Sequence, residues 1–380
     1  MDIRDVAALA RVSIATVSRT MNHKRSVDPV LAARVWKAVR ELNYLPNTQA
    51  RALVSGYSRL IGLIVSEITN PFFPELIQEF EQAAVARGYE VLIGSTNYER
   101  ETMEVCARRM LERKVDGVAV MTFGAEEFFL DRFEAEEIPY VFIDPAPSRP
   151  LSRVLAVDYE VGIAEGVQHL AVLGHRKIAF ISGPVSRSSV LSRKEAFLRC
   201  IRSIGLKPNP KWLIECDHTL DGGRDAMKKI LALADWPSAV MCSNDMSAIG
   251  VQHALFEADL RVPEDFSLIG FDDIHLAEYT IPPLTTVRMS CREIATQAIE
   301  SLLCQGKRGD GAEQLSKETE PSSEAPSQRI VKPDEPFATI ATRLIVRRTT
   351  GLPRNALEDL GESGPKTKMT PPSRRRSRQR

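Results

Sequence analysis

From Leu60 onward the sequence repeats one alternation, a short continuous apolar run followed by an amphipathic stretch. Runs at 60–65, 90–93, 117–121, 140–143, 154–157, 178–181, 239–242 and 268–270 read as strands. Between them lie helix-period segments such as 74–86 (Leu76, Ile77, Phe80, Ala83, Ala84) and 161–173 (Ile163, Val167, Leu170), the latter closed by Gly174. Apolar strands without polar alternation are buried on both faces, which means parallel sheets covered by helices. Some 230 residues of this pattern suffice for two sheets.

The first 46 residues have a different period. Ile3, Val6, Ala7 and Ala10 form one helical face, and Arg11-Val12-Ser13 breaks it. Ser13 is a good N-cap for a second helix over 14–21, with Val17 and Met21 four apart on its inner face. Asp28-Pro29 opens a third helix, whose stripe is Leu31, Val35, Ala38 and Leu42. On the second helix Ala15, Ser18, Arg19 and Asn22 share the outward face. These are short or hydrogen-bonding side chains, as a helix entering a DNA major groove needs. Arg19 can reach guanine, and Ser18 with the helix N-terminus can take phosphate. A plain three-helix pack with a polar face has the same spacing.

Charge separates the same regions. The chain has 50 basic and 50 acidic residues. Residues 1–59 carry +6, residues 366–380 carry +7, and the remainder is therefore −13. A basic head on an acidic body points to an anionic partner, nucleic acid first. No run reaches 18 apolar residues, and no secretory leader opens the chain, so the expectation is a cytoplasmic, nucleoid-associated protein without membrane contact. The six scattered cysteines lack any CxxC pair and suit reduced thiols, and the six histidines have no metal-like spacing. His175 reads as a helix-end cap. No phosphate loop, HExxH or dinucleotide fingerprint is present, so neither metal nor cofactor is expected and the chain is read as a non-enzyme.

The run IRDVAALARVSIATVSRTMN, then Leu42-Asn43-Tyr44, Pro46-Asn47 and ARAL at 50–53, resembles the lactose-repressor/galactose-repressor (LacI/GalR) family of bacterial transcription regulators. The body agrees in order: LIGLIV, NPFF, LGHRKIAFISG, SND, IGFDD, PPLTTV and LIVRRT. The resemblance implies a small all-α helix-turn-helix head (1–46), a hinge helix and linker (47–58), and an α/β two-lobe periplasmic-binding-protein-like body for effector binding and dimerisation (59–305 and 336–350). Outside the family pattern lie a polar insertion (306–335) and a basic tail (351–380), both expected to be disordered.

The resemblance also assigns residues. The recognition helix spans 14–22, with Ile14, Ala15 and Arg19 nearest the bases, and Thr16, Ser18 and Asn22 beside them. Asn47, Ala50 and Leu53 belong to the hinge, Leu53 being the wedge that enters the minor groove; a passive linker is the plainer reading of 47–58. Residues at the carboxyl ends of strands would line an interlobe cleft: Asp144, then Asn244 and Asp245, then Asp272 and Asp273. Phe73 could cover an apolar sugar face, and Arg193 matches the family's pocket arginine. Asn244 could instead cap the helix after it, and Arg193 could be a surface residue. Ala196 stands where glycine is common in the family, and Pro145 where a basic residue often follows the aspartate. The implied protein is a homodimeric repressor on an inverted-repeat operator, controlled by a small ligand, a sugar. A solute-binding protein on the same scaffold is the alternative, and a sugar-modifying enzyme a third.

Overall fold

The computed structural model describes residues 2–21, 27–45, 56–122, 127–144, 152–305 and 336–354. Asn22, Asn47, Ala50 and Leu53, the 306–335 insertion and the tail after Arg354 lie outside the described residues. Contacts divide the chain into Met1–Arg59 and Leu60–Arg380.

The first unit holds α1 (Ile3–Ala10), α2 (Ile14–Met21) and α3 (Pro29–Glu41). Asp2 and Asp5 form a reciprocal cap at the start of α1. Arg11 ends that helix in the left-handed region at φ 52°, and the Arg34 guanidinium donates to the carbonyls of Ala10 and Arg11. Ser13 caps α2, its Oγ accepting the Thr16 N–H at 3.1 Å. Asp28 caps α3 through the N–H groups of Val30 and Leu31, with proline at the first helical position. Val6, Ala7, Ala10, Val17, Val35 and Ala38 make the small core.

The second unit contains two six-stranded sheets. The first is ordered β11-β5-β4-β3-β1-β2, from Ala338–Ala341, Ser152–Asp158, Tyr140–Ile143, Gly117–Met121, Leu60–Val65 and Glu90–Ser95, all parallel. The second is ordered β12-β10-β9-β8-β6-β7, from Arg343–Ile345, Thr285–Arg288, Ser267–Asp272, Ala239–Cys242, Ile178–Ser182 and Leu213–Glu215, parallel except for β12. In chain order the helices here are α4 (Phe72–Val85), α5 (Arg100–Glu112), α6 (Glu127–Ala135), α7 (Tyr159–Val172), α8 (Ser188–Ser203), α9 (Leu220–Leu231), α10 (Asp245–Glu257) and α11 (Cys291–Gln305). Phe72, Leu76 and Phe80 of α4 pack on one face of the first sheet, and Met103, Met110 and Phe133 cover the other. Each such side chain contributes about 1.5–3 kcal/mol by leaving water.

The chain passes between the lobes three times. It leaves the first sheet after β5 for α7 and β6, returns after β10 through α11 onto α4, and crosses again between β11 and β12. Thr342, in the last crossing, accepts the Gly162 N–H and donates to the Asp158 carbonyl, which ties it to the first crossing. His175 departs from its expected role. Its backbone N–H does bond Leu170 O at the end of α7, but its buried ring joins Ser238, Ser267 and the Gly351 carbonyl.

Candidate ligand-binding cleft and nucleic-acid face

A cavity of about 680 Å³, open mouth included, lies between the carboxyl ends of the two sheets. Phe73, Asp144, Arg193, Asn244 and Asp272 all line it. In a parallel sheet every strand delivers its following loop to the same edge, so distant segments converge there. Asp144, just after β4, has φ 86°, and Asp272, the last residue of β9, has φ 109°. Non-glycine residues are held in that region only where their surroundings demand it, and such strain gathers at functional sites.

Arg193 is the centre of the polar wall. Its guanidinium sits between the rings of Phe271 and Tyr159, 4.2 Å and 4.8 Å from their centroids, and Nη1 donates to Ser243 O at 2.6 Å. Asp272 Oδ1 stands 3.6 Å from Nη1. Burial pushes the Asp272 carboxyl up to about 7, Arg193 opposing and Glu75 reinforcing the shift. Asp144 is pushed up to about 6, again by burial, against the pull of the Tyr159 hydroxyl and Arg193. Its Oδ1 has no hydrogen-bond partner among the described residues. Phe72 and Phe73, edge to face at 5.4 Å, supply the apolar wall with Phe142, Ile143, Val190 and Met289.

Asn244 does two things at once. Its Oδ1 accepts the Ser247 N–H and so caps α10, and its Nδ2 donates to His218 O, both at 2.9 Å. The other two strand-end carboxylates turn away from the cavity. Asp245 receives the Ile274 N–H and the Thr286 hydroxyl, and Asp273 pairs with Arg288 and Arg347.

Among the lining residues that escaped the sequence reading are Tyr159, Arg187 and His218. Tyr159 begins α7 and donates to Asp144. Arg187 precedes α8 and stacks on the Tyr98 ring, 3.5 Å from its centroid. His218 follows β7, a three-residue strand that gave no pattern to read. Its ring lies 2.6 Å from Ser243 Oγ, and a Cβ on Gly183 would fall 2.3 Å from it, so only glycine fits there. Burial, with Arg193 and Arg187 near, pushes His218 down to about 3, and the ring stays neutral.

In the first unit, α2 buries Val17 and Thr20 and exposes Ile14, Ala15 and Arg19, with Thr16 and Ser18 half-buried. The Thr16 hydroxyl is 2.9 Å from that of Ser13, inside the cap. Ile14 is 46% exposed, an apolar side chain in water at a helix start. The six cysteines are free. Among the described residues no helix is long and apolar enough to cross a membrane, and no His, Cys, Asp and Glu cluster suits a metal ion.

A three-helix head and a two-lobe α/β body with a polar cleft define the class of bacterial regulators built on a periplasmic-binding-protein scaffold. Residues 2–47 match the model of bacterial regulatory proteins of the lacI family, and residues 167–322 that of the periplasmic binding protein-like domain. The chain is 35% identical over 302 residues to the HTH-type transcriptional repressor PurR of Aliivibrio salmonicida, covering 79% of this chain and 91% of that one. It is 33% identical over 304 residues to the ribose operon repressor of Escherichia coli, covering 79% and 92%. The lac repressor dimer bound to operator and the anti-inducer ONPF superposes with a TM-score of 0.76 at 26% identity, covering 92% of this chain and 99% of that one. The chain belongs to the LacI family of transcriptional repressors. It has their DNA-binding head and effector-binding body.

Proposed function

We propose that this repressor binds an inverted-repeat operator as a homodimer and that a small ligand in the interlobe cleft sets its operator affinity. The observation that carries the reading is the convergence of Phe73, Asp144, Arg193, Asn244 and Asp272, from five separate segments, on one cavity. Carboxylates and a guanidinium beside a phenylalanine pair suit a polyhydroxylated ring, apolar on its faces and polar at its edge, so the effector is a sugar. Helix α2 reads the major groove through Ile14, Ala15, Thr16, Ser18, Arg19 and Asn22. Asn47, Ala50 and Leu53 form the hinge, with Leu53 wedged into the minor groove.

One recognition helix reads only a half-site, so two copies on a palindrome of about 14–20 base pairs are needed. Ligand shifts the population between two lobe arrangements, which alters the spacing of the paired hinge segments and with it their folding on DNA. Linkage requires operator to change ligand affinity by the same factor. Head, hinge and cleft together favour this over a transport binding protein, which needs no DNA-binding head, and the repressor relatives support a non-enzymatic role in the cytoplasm at the nucleoid. Calorimetry against a sugar panel, with and without an operator selected from random DNA, tests it. Selection of an asymmetric half-site bound by monomer, or ligand affinity indifferent to operator, would overturn it.

A further inference from the structure

We infer that Ile14 selects the operator sequence by packing on the 5-methyl group of a thymine in each half-site. This rests on the reading of α2 as the helix that enters the major groove.

Ile14 is the first residue of α2 and is 46% exposed. It lies outside the small core of Val6, Ala7, Ala10, Val17, Val35 and Ala38. A large apolar side chain left in water gains nothing from folding and becomes useful only against a second apolar surface. Isoleucine is also a poorer helix former than alanine or leucine, so local propensity does not explain it. Its β-branch restricts χ1, and the surface it presents is therefore well defined. Single exposed apolar residues are common, and Leu9, Val30 and Leu45 are others in the head. Ile14 differs from them in its neighbours.

The polar groups of the first turn are engaged in the cap. Ser13 Oγ accepts the Thr16 N–H at 3.1 Å, and the Ser13 and Thr16 hydroxyls share a hydrogen bond at 2.9 Å. The Thr16 carbonyl accepts the Thr20 hydroxyl at 2.8 Å. Ala15, exposed beside Ile14, offers only a methyl group. The outer surface of α2 thus opens with an apolar row, Ile14 and Ala15, one turn ahead of Ser18 and Arg19.

The edges of base pairs in the major groove show donors, acceptors and one apolar group, the thymine 5-methyl. A base donor or acceptor covered by Ile14 loses its water without gaining a partner, whereas a methyl group covered by it leaves water favourably. Residues 1–59 carry +6, and the phosphates of any duplex answer that charge equally. The apolar row supplies a discrimination that charge cannot.

The test uses the full-length protein, an operator selected from random DNA, and shift assays at fixed salt. Each thymine of the half-site is replaced in both halves by uracil, which deletes only the methyl group. At one position or more this should weaken binding about tenfold, or roughly three- to fourfold per methyl group. At the same position 5-methylcytosine should be bound better than cytosine by a similar factor. Ile14→Ala should bring both ratios within about twofold of unity, and Ile14→Val should lie between it and wild type. Binding to random DNA should stay within about threefold of wild type, which shows that the head is folded. If Ile14→Ala loses that binding, the comparison of Ile14→Val with wild type decides. A half-site with no thymine sensitive to uracil, or a sensitivity that neither substitution changes, overturns the methyl contact while the operator reading stands. Failure to select any inverted repeat overturns both.

Discussion

The Tyr159 hydroxyl donates to Asp144 Oδ2 at 2.5 Å, joining the first residue of α7 to the carboxyl end of β4. This bond helps to hold a buried carboxyl, on a residue with φ 86°, near where the chain first leaves the N-terminal lobe. It lowers the proton affinity of Asp144, and burial outweighs it.

The pH dependence of stability follows. The unfolded chain releases the Asp144 and Asp272 protons near 3.8, and the folded protein keeps them to about 6 and about 7. The folded state binds more protons across that window, so the contribution of these groups is full below about pH 4 and is lost as pH rises through 6 and 7. Thermal melts of the ligand-free protein from pH 5 to 8 should show a flatter profile for Asp272→Asn than for wild type. Tyr159→Phe removes a bond that favours the ionised carboxyl, so its profile should be steeper. Parallel profiles in all three proteins would contradict the assignment.

Truncating the cleft should separate sensing from DNA binding. Arg193→Ala and Asp272→Ala each remove a charge-assisted contact and should cost about 2–4 kcal/mol of effector affinity. Operator shifts without effector should match wild type. Normal effector affinity in both variants would place the ligand elsewhere.

On the DNA side two variants should behave alike for different reasons. Arg19→Ala removes a base-reading side chain and should weaken operator binding by roughly 1–3 kcal/mol. Leu53→Ala removes a wedge that matters only where the duplex is kinked. Both should leave binding to random DNA within about threefold, because phosphate contacts persist. Equal losses on operator and random DNA would count against these roles.

His175→Ala should destabilise the C-terminal lobe. It deletes a buried ring that bonds Ser238, Ser267 and the Gly351 carbonyl, leaving Ser238 only its bond to the Lys177 carbonyl and Ser267 only its bonds to Gly351. A loss of about 2–4 kcal/mol is expected from the cavity and the broken bonds. Urea unfolding measures it, and a midpoint within error of wild type would show that the tie is dispensable.

Apolar runs bounded by turns are visible without context, and so Leu60–Val65, Gly117–Met121, Tyr140–Ile143 and Ala239–Cys242 coincide with their sequence boundaries. Leu213–Glu215 and Ala338–Ala341 are short edge strands, and Thr285–Arg288 is half polar. Neighbouring strands, not local composition, make them strands. The cleft followed the same divide. Asp144, Asn244 and Asp272 come after legible strands, whereas His218 comes after an illegible one. Arg187 was hidden because nothing local distinguishes an uncapped helix start from a loop arginine. Which of two adjacent aspartates enters the cavity is set by a single backbone turn at Asp272, which no pattern of apolar residues records.

The three lobe crossings bear on how the chain is made. The N-terminal lobe needs α11 over α4 and β11 beside β5, and both are synthesised after the entire second sheet except β12. While the ribosome is still translating, the apolar face of α4 and the outer edge of β5 await partners more than a hundred residues downstream. Exposed apolar surface and open strand edges are what nascent chains aggregate through. Completion of the first-made lobe is therefore deferred until Ala338–Ala341 has been made, and a message truncated before Cys291 yields a product with its earliest core unsealed.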